Sequence, residues 1–367
     1  MTSPEAVPSA RGRAGRWLVP TLIAAAIALV AVVLSGVESE RTPTVPAVSA
    51  AARDSYAEAR ALLDGGAGDL ERAERLLADA VAAAPHFADA WAATAELWLS
   101  RPLPTADTVP PAKRAALTAL EHDPDHVEAR LQLAQVAIAW DRNWGEAQQL
   151  LVDARELASD NPAVHQAIAS LRFQQGRVGE AEAAMLMGVS LKPTSVVLNT
   201  DLAWHYTVSG KYERALATCG LLERLDAARA PSSTCTLQPL LLSGDGEGAA
   251  AVARRVLERL TGHAPGEKLA PDTVLALFWR TTLDRLVDAS EQRYVDPVHF
   301  ARLHAQLGDD GSALDALALA VQQRSQLAPL IHVFPEFRAL HDSRRFLDLL
   351  GDLGLPDDPR QVLARLH

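Results

Sequence analysis

One helical spacing recurs along most of the chain: a small residue, an apolar one four places on, and a small or apolar one at the seventh place. Proline often follows at the twelfth. It reads Ala73, Leu77, Ala80, Pro85, then Ala112, Ala116, Ala119, Pro124, and again Ala181, Met185, Gly188, Pro193. Shorter copies are Ala147, Leu151, Ala154, then Ala215, Cys219, Leu222, and Ala313, Leu317, Ala320. These offsets put the side chains on one face of a helix. Small residues there let a second helix approach closely. Alanine, leucine and arginine dominate a chain that is 49% apolar and only 5% aromatic, a bias that favours helices. The expected fold class is all-α.

Upstream of each copy lies a partner helix and a turn. The clearest unit runs Asp201-Leu202-Ala203-Trp204-His205-Tyr206, then Gly210-Lys211-Tyr212-Glu213-Arg214-Ala215. Gly210 sits where the first helix must end in a left-handed cap, and Gly176 and Gly308 hold the same place in their units. Pro85, Pro124 and Pro193 close second helices, because proline cannot continue the backbone ladder. The pattern resembles the tetratricopeptide repeat (TPR), a helix–turn–helix unit of 34 residues. That resemblance implies a right-handed superhelix of six or seven units across about 51–325, with 326–367 as a C-terminal helical cap. The second unit carries a Pro-rich stretch from Arg101 to Pro111, the sixth (Gly244 to Val256) is degenerate, and a further helix is expected at about 272–292. Trp91 and Trp98 are expected in the core of their unit.

Residues 17–37, WLVPTLIAAAIALVAVVLSGV, contain no charge. At ~1.5 Å per residue such a helix would span the ~30 Å apolar core of a bilayer. Arg11, Arg13 and Arg16 precede it, while Glu38 and Glu40 follow. The positive-inside rule places residues 1–16 in the cytoplasm and the body outside it. A bacterial inner-membrane anchor with a periplasmic body is the expectation; a cleaved leader ending near Ala50 is the alternative. Residues 38–50 read as a Pro-containing linker. The net charge of −11 argues against a direct nucleic-acid surface.

Two stretches are more specific. Trp140-Asp141-Arg142-Asn143-Trp144-Gly145-Glu146-Ala147 is one. The other comprises Tyr294-Val295-Asp296-Pro297, Leu307-Gly308, Phe334-Pro335-Glu336-Phe337-Arg338-Ala339-Leu340 and Arg345-Phe346 to Gly354-Leu355. Together they resemble the TPR region of membrane-anchored CadC-like transcriptional regulators and their TolB-like and adenylate-cyclase-linked relatives, over about residues 125–357. Those regulators carry a DNA-binding or cyclase domain before the membrane helix. Only 16 residues precede Trp17 here, too few for a folded domain, so the resemblance implies the sensor-like half alone.

No catalytic pattern emerges. Gly262 to Lys268 lacks the spacing of a phosphate loop. The acidic turns Gly244 to Gly248 and Gly308 to Gly311 lack a calcium-ligand ladder. His299 and His304, five apart, point in different directions, and the histidines lack zinc-ligand spacing. No enzyme, cofactor or metal site is expected. Cys219 falls in the second helix of one unit and Cys235 in the first helix of the next, at similar heights across a turn near Ala227 to Pro231. They are expected either to form a disulfide, as an exported location permits, or to be two buried apolar thiols.

In TPR arrays the first helix of each unit lines the concave face. The register places Glu96, Gln166, Ser170, Phe173, Thr200, Trp204 and Thr207 there. Phe173 and Trp204 are the expected aromatic anchors for a protein or peptide partner, unless they pack against neighbouring helices. The Lys and Asn of a chaperone-type carboxylate clamp are absent. The function expected is protein–protein interaction as an adaptor or scaffold, as in envelope assembly; the alternative is the sensor half of a split CadC-like regulator.

Overall fold

The structure is a computed structural model that describes residues 47–64, 69–101, 107–225, 232–266 and 268–354. The expected tip 1–16, membrane helix 17–37 and most of the linker lie outside the described residues, as does the turn at 227–231. Among the described residues no helix is long and apolar enough to cross a membrane.

Within the body, helices pair in chain order into antiparallel hairpins. They are α1 (Ala50–Asp64) with α2 (Leu70–Ala83), α3 (Ala88–Leu99) with α4 (Val109–His122), and α5 (Val127–Val136) with α6 (Trp144–Leu157). Next come α7 (Pro162–Gln174) with α8 (Val178–Leu191), α9 (Val196–Val208) with α10 (Tyr212–Leu225), and α11 (Ser232–Leu242) with α12 (Gly246–Thr261). A single helix, α13 (Pro271–Ser290), precedes the last hairpin, α14 (Pro297–Gln306) with α15 (Asp310–Gln322).

The residues of the recurring spacing form the seams between helices. Ala73, Ala80, Ala112, Ala147, Ala154, Ala181, Ala215, Ala313 and Ala320 are wholly buried. Gly188 shows why a small residue is needed: an added Cβ would stand 3.3 Å from the carbonyl oxygen of Pro162 on the neighbouring helix. The turn at Gly210 holds φ +72, a backbone that glycine adopts without strain. Caps define the starts of helices: the side chains of Asp69, Asn143, Asn161, Ser195, Asp245, Asp296 and Asp309 each accept a first-turn N–H.

Two expectations are revised. Trp91 and Trp98 are half-buried, not core: the Trp91 indole N–H donates to the Pro85 carbonyl at 2.8 Å, and Trp98 lies 4.2 Å beneath the Arg101 guanidinium. The neighbouring seam is filled by alanines and leaves the indoles at its rim. Among the described residues after 326 the chain is mainly 3-10 turns at Ala328–Leu330 and Pro335–Leu340, with one regular helix, α16 (Arg344–Asp352); residues 355–367 lie outside the described residues. Its core is Ile331, Phe337, Phe346 and Leu350 packed on α15.

This C-terminal segment reaches back to the third hairpin. Arg324 donates to the Trp140 carbonyl and its guanidinium stands 4.8 Å from that indole. The Trp144 indole N–H donates to the Gly354 carbonyl at 2.6 Å. Cys219 of α10 and Cys235 of α11 are joined as a disulfide, their Cα atoms 5.8 Å apart.

Candidate partner-binding groove

The first helices of successive hairpins, α3, α5, α7 and α9, share one face with the C-terminal segment, and between them runs a groove. Its first part is a cavity of about 590 Å³ reaching from Glu96 through Gln132, Gln166 and Ser170 to Asp201, walled on the far side by Gln326, Leu327 and Leu330. Its second part, about 530 Å³, continues through Thr200, Trp204 and Gln238 to Arg302 and Phe334. A smaller apolar cavity of about 250 Å³ adjoins it, between Leu237, Phe278, Trp279 and Leu303.

The helical repeat explains which side chains line it. Gln132, Gln166 and Thr200 stand one 34-residue repeat apart, and each reaches the groove. Ser170 and Trp204 form a second such register and also line it. Phe173 and Thr207 form a third, and this one turns inward. Phe173 is only 2% exposed, its ring centroid 4.3 Å from that of His205 with the planes tilted by 59°, and it packs with Ala181, Val208 and Val333. The expectation of an aromatic anchor at Phe173 is therefore corrected: it belongs to the core. Thr207 touches the wall of the second cavity but is 3% exposed, its hydroxyl donating to the Ala203 carbonyl at 2.8 Å. It too is not an exposed contact.

The other expected residues reach the groove with their own partners. Glu96 is paired with Arg60 of α1. Gln166 donates to Asp201 at 2.7 Å. Ser170 is exposed and accepts from the Gln174 amide at 3.0 Å. Thr200 is exposed, its hydroxyl donating to the Val196 carbonyl at 2.8 Å. Trp204 is half-buried, its ring 5.2 Å from Phe334 and 5.6 Å from the Arg302 guanidinium. Arg302 is itself held by Glu336, through Nε at 2.8 Å and Nη2 at 2.6 Å.

Several groove residues went unread in the sequence. Gln132 and Gln174 are 8% and 7% exposed, and the side-chain oxygen of each has no hydrogen-bond partner. Burial pushes the Asp201 carboxyl above its ordinary range, an effect that the bond from Gln166 opposes. Burial also lowers His299, aided by the nearby Arg302 cation. The repetition at 132 and 166 was the available signal for Gln132. Among the described residues no group of His, Cys, Asp and Glu could hold a metal ion.

Paired antiparallel helices, small-residue seams and a groove on the first helices define a TPR-type helical-repeat architecture. No protein-family model matches the chain, and no curated protein matches it in sequence. Among solved structures, the human IFIT1 dimer with m7Gppp-AAAA is similar at 15% identity, over 95% of this chain and 78% of that one, with a TM-score of 0.50. A TPR protein of Thermus thermophilus, TTC0263, matches at 19% identity over 52% of this chain and 99% of its own, TM-score 0.46. PilF of Pseudomonas aeruginosa matches at 19% identity over 58% and 93%, TM-score 0.45.

Proposed function

We propose that the chain is an adaptor whose helical-repeat body holds a polypeptide partner in the groove between Glu96 and Trp204. The observation that carries this reading is the groove itself, about 590 Å³ and then about 530 Å³, running along the first helices of successive hairpins. The body is exported and tethered to a bacterial inner membrane by residues 17–37. The apolar run behind three arginines supports this, and so does the Cys219–Cys235 pairing, which suits an oxidising compartment. Its role is interaction, not catalysis, within envelope assembly.

Filling the groove tests this. Affinity capture from detergent-solubilised membranes is expected to retain a partner with the native chain and to lose it with Ser170→Trp, at unchanged helix content and thermal midpoint. Equal retention by both chains would contradict the groove.

A second reading is the sensor half of a split regulator, signalling through helix 17–37 to a separate cytoplasmic DNA-binding protein. It is favoured by the contact between the two CadC-like stretches, Trp144 with Gly354. Crosslinking from Arg11 to Arg16 is then expected to trap such a protein, and would trap nothing specific for the adaptor.

A further inference from the structure

Hairpin seams close on alanine and glycine, but the single helix α13 lacks that spacing. Its stripe toward α14 reads Phe278, Thr282, Leu286, four residues apart and so on one face. Leu303 of α14 and Leu237 of α11 face the same space. Bulky side chains where other seams have small ones hold these helices apart, and a cavity of about 250 Å³ lies between them. At its wall Phe278 and Trp279 meet edge to face, centroids 4.7 Å apart.

The cavity is continuous with the groove. Gln238, His299 and Arg302 line both it and the second part of the groove, so the passage between the two is polar while the residues beyond it are mainly apolar. Arg302 is answered there by Glu336. Burial and the Arg302 cation hold His299 below its ordinary value, which leaves that ring uncharged near neutral pH. An uncharged, apolar group is what this space suits. Size narrows the choice: an apolar cavity of roughly 150 Å³ stays dry and takes up benzene. About 250 Å³ admits one aromatic ring system, whereas a main chain needs the wider groove alongside.

We propose that this cavity is an anchor pocket for one aromatic side chain of the partner polypeptide, which branches past Gln238 and Arg302 from a main chain lying in the second part of the groove. The proposal rests on the groove being the binding face and adds where its anchor goes. A buried aromatic carries a large share of the energy of an interface, and Phe278 and Trp279 present the ring edges and faces that a third ring prefers.

The test uses the full chain in detergent. A fluorinated indole, followed by fluorine NMR, is expected to bind the native chain and to be lost with Leu286→Trp, which fills the cavity from α13. Val287→Trp adds the same ring at the next, exposed position and should leave binding intact. Gln306→Trp fills the cavity from α14 and replaces Leu286→Trp should that variant lose helix content. Two fluorescein-labelled Ser-Thr peptides, with tryptophan or alanine at the centre, are then compared by anisotropy. The tryptophan peptide should bind about tenfold more tightly, and filling the cavity should erase the difference. Indole binding that survives the filling variants, or a tryptophan peptide no tighter than the alanine one, would overturn the proposal. If the peptides bind alike while Ser170→Trp still abolishes partner capture, the groove stands and the anchor falls. If Ser170→Trp leaves capture unchanged, both fall.

Discussion

The Trp204 indole of α9 meets the Phe334 ring of the C-terminal segment, centroids 5.2 Å apart and planes tilted by 49°. Arg302 lies over both rings, 5.6 Å from Trp204 and 4.7 Å from Phe334. The contact fastens the C-terminal segment against the repeat array and makes Leu327, Leu330 and Phe334 part of the groove wall. Trp204 is thus both lining and anchor for the chain's own tail.

Trp204→Ala is therefore expected to loosen residues 327–340 as well as to weaken partner binding. Removing a half-buried indole costs about 2 kcal/mol, below the ~3–5 kcal/mol typical of a fully buried aromatic. Hydrogen exchange should quicken first at Ile331, Val333 and Phe337. Phe173→Ala removes a core ring and is expected to cost about 3–4 kcal/mol in urea unfolding. Equal and small losses for both variants would contradict the assignment.

The Cys219–Cys235 bridge closes a loop with a sequence separation of 16. A loop of that size contributes ~3 kcal/mol in the chain-entropy view. Protein taken from the oxidising side should resist alkylation until reduced, and reduction should lower the thermal midpoint. Two alkylatable thiols in unreduced protein would contradict the bridge.

Two buried histidines set an acid limit. Burial lowers His205 to about 4, and burial with the neighbouring His341 lowers His332 to about 3. Both are neutral when folded, while the unfolded chain takes up their protons near 6.5. Stability is then fully present above pH 6.5 and is lost as pH falls through 6.5 toward these folded values. His205 alone accounts for on the order of 3 kcal/mol once the pH is below about 4. Unfolding at pH 5 should take up more protons than at pH 7.5, with His205 and His332 each contributing up to one. His205→Gln should remove one of them.

Asp201 acts in the opposite sense. Its folded carboxyl titrates above the ordinary 3.8 because it is buried, so its stabilising contribution is present at low pH and is lost as pH rises from 3.8 through the folded value. Asp201→Asn keeps an acceptor for Gln166 and removes a buried charge. The variant is expected to unfold at higher urea concentration than the native chain at pH 7.5, with unchanged slope, and to lose that advantage at pH 3. A lower midpoint at pH 7.5 would contradict it.

The hairpins were legible because their seams admit only small residues. An alanine or Gly188 at a helix crossing leaves a periodic trace, and positive-φ glycines mark the turns. The groove was half legible. Glu96, Gln166, Ser170, Thr200 and Trp204 reach it, but the 173/207 register was misplaced because a few tens of degrees around a helix separate a lining position from a core one. A glutamine in a sequence reads as solvated, so nothing marked Gln132 and Gln174 as buried. Nor does local periodicity announce a pairing as distant as Trp204 with Phe334, or Trp144 with Gly354.

The central claim is that a polypeptide lies along α5, α7 and α9. Photo-crosslinking in intact cells tests it most directly, with the reactive side chain at Ser170 in the groove or at the exposed Glu156 of α6. A discrete covalent polypeptide adduct from Ser170, and none from Glu156, is the result expected. Equal adducts from both positions, or from Glu156 alone, would contradict it.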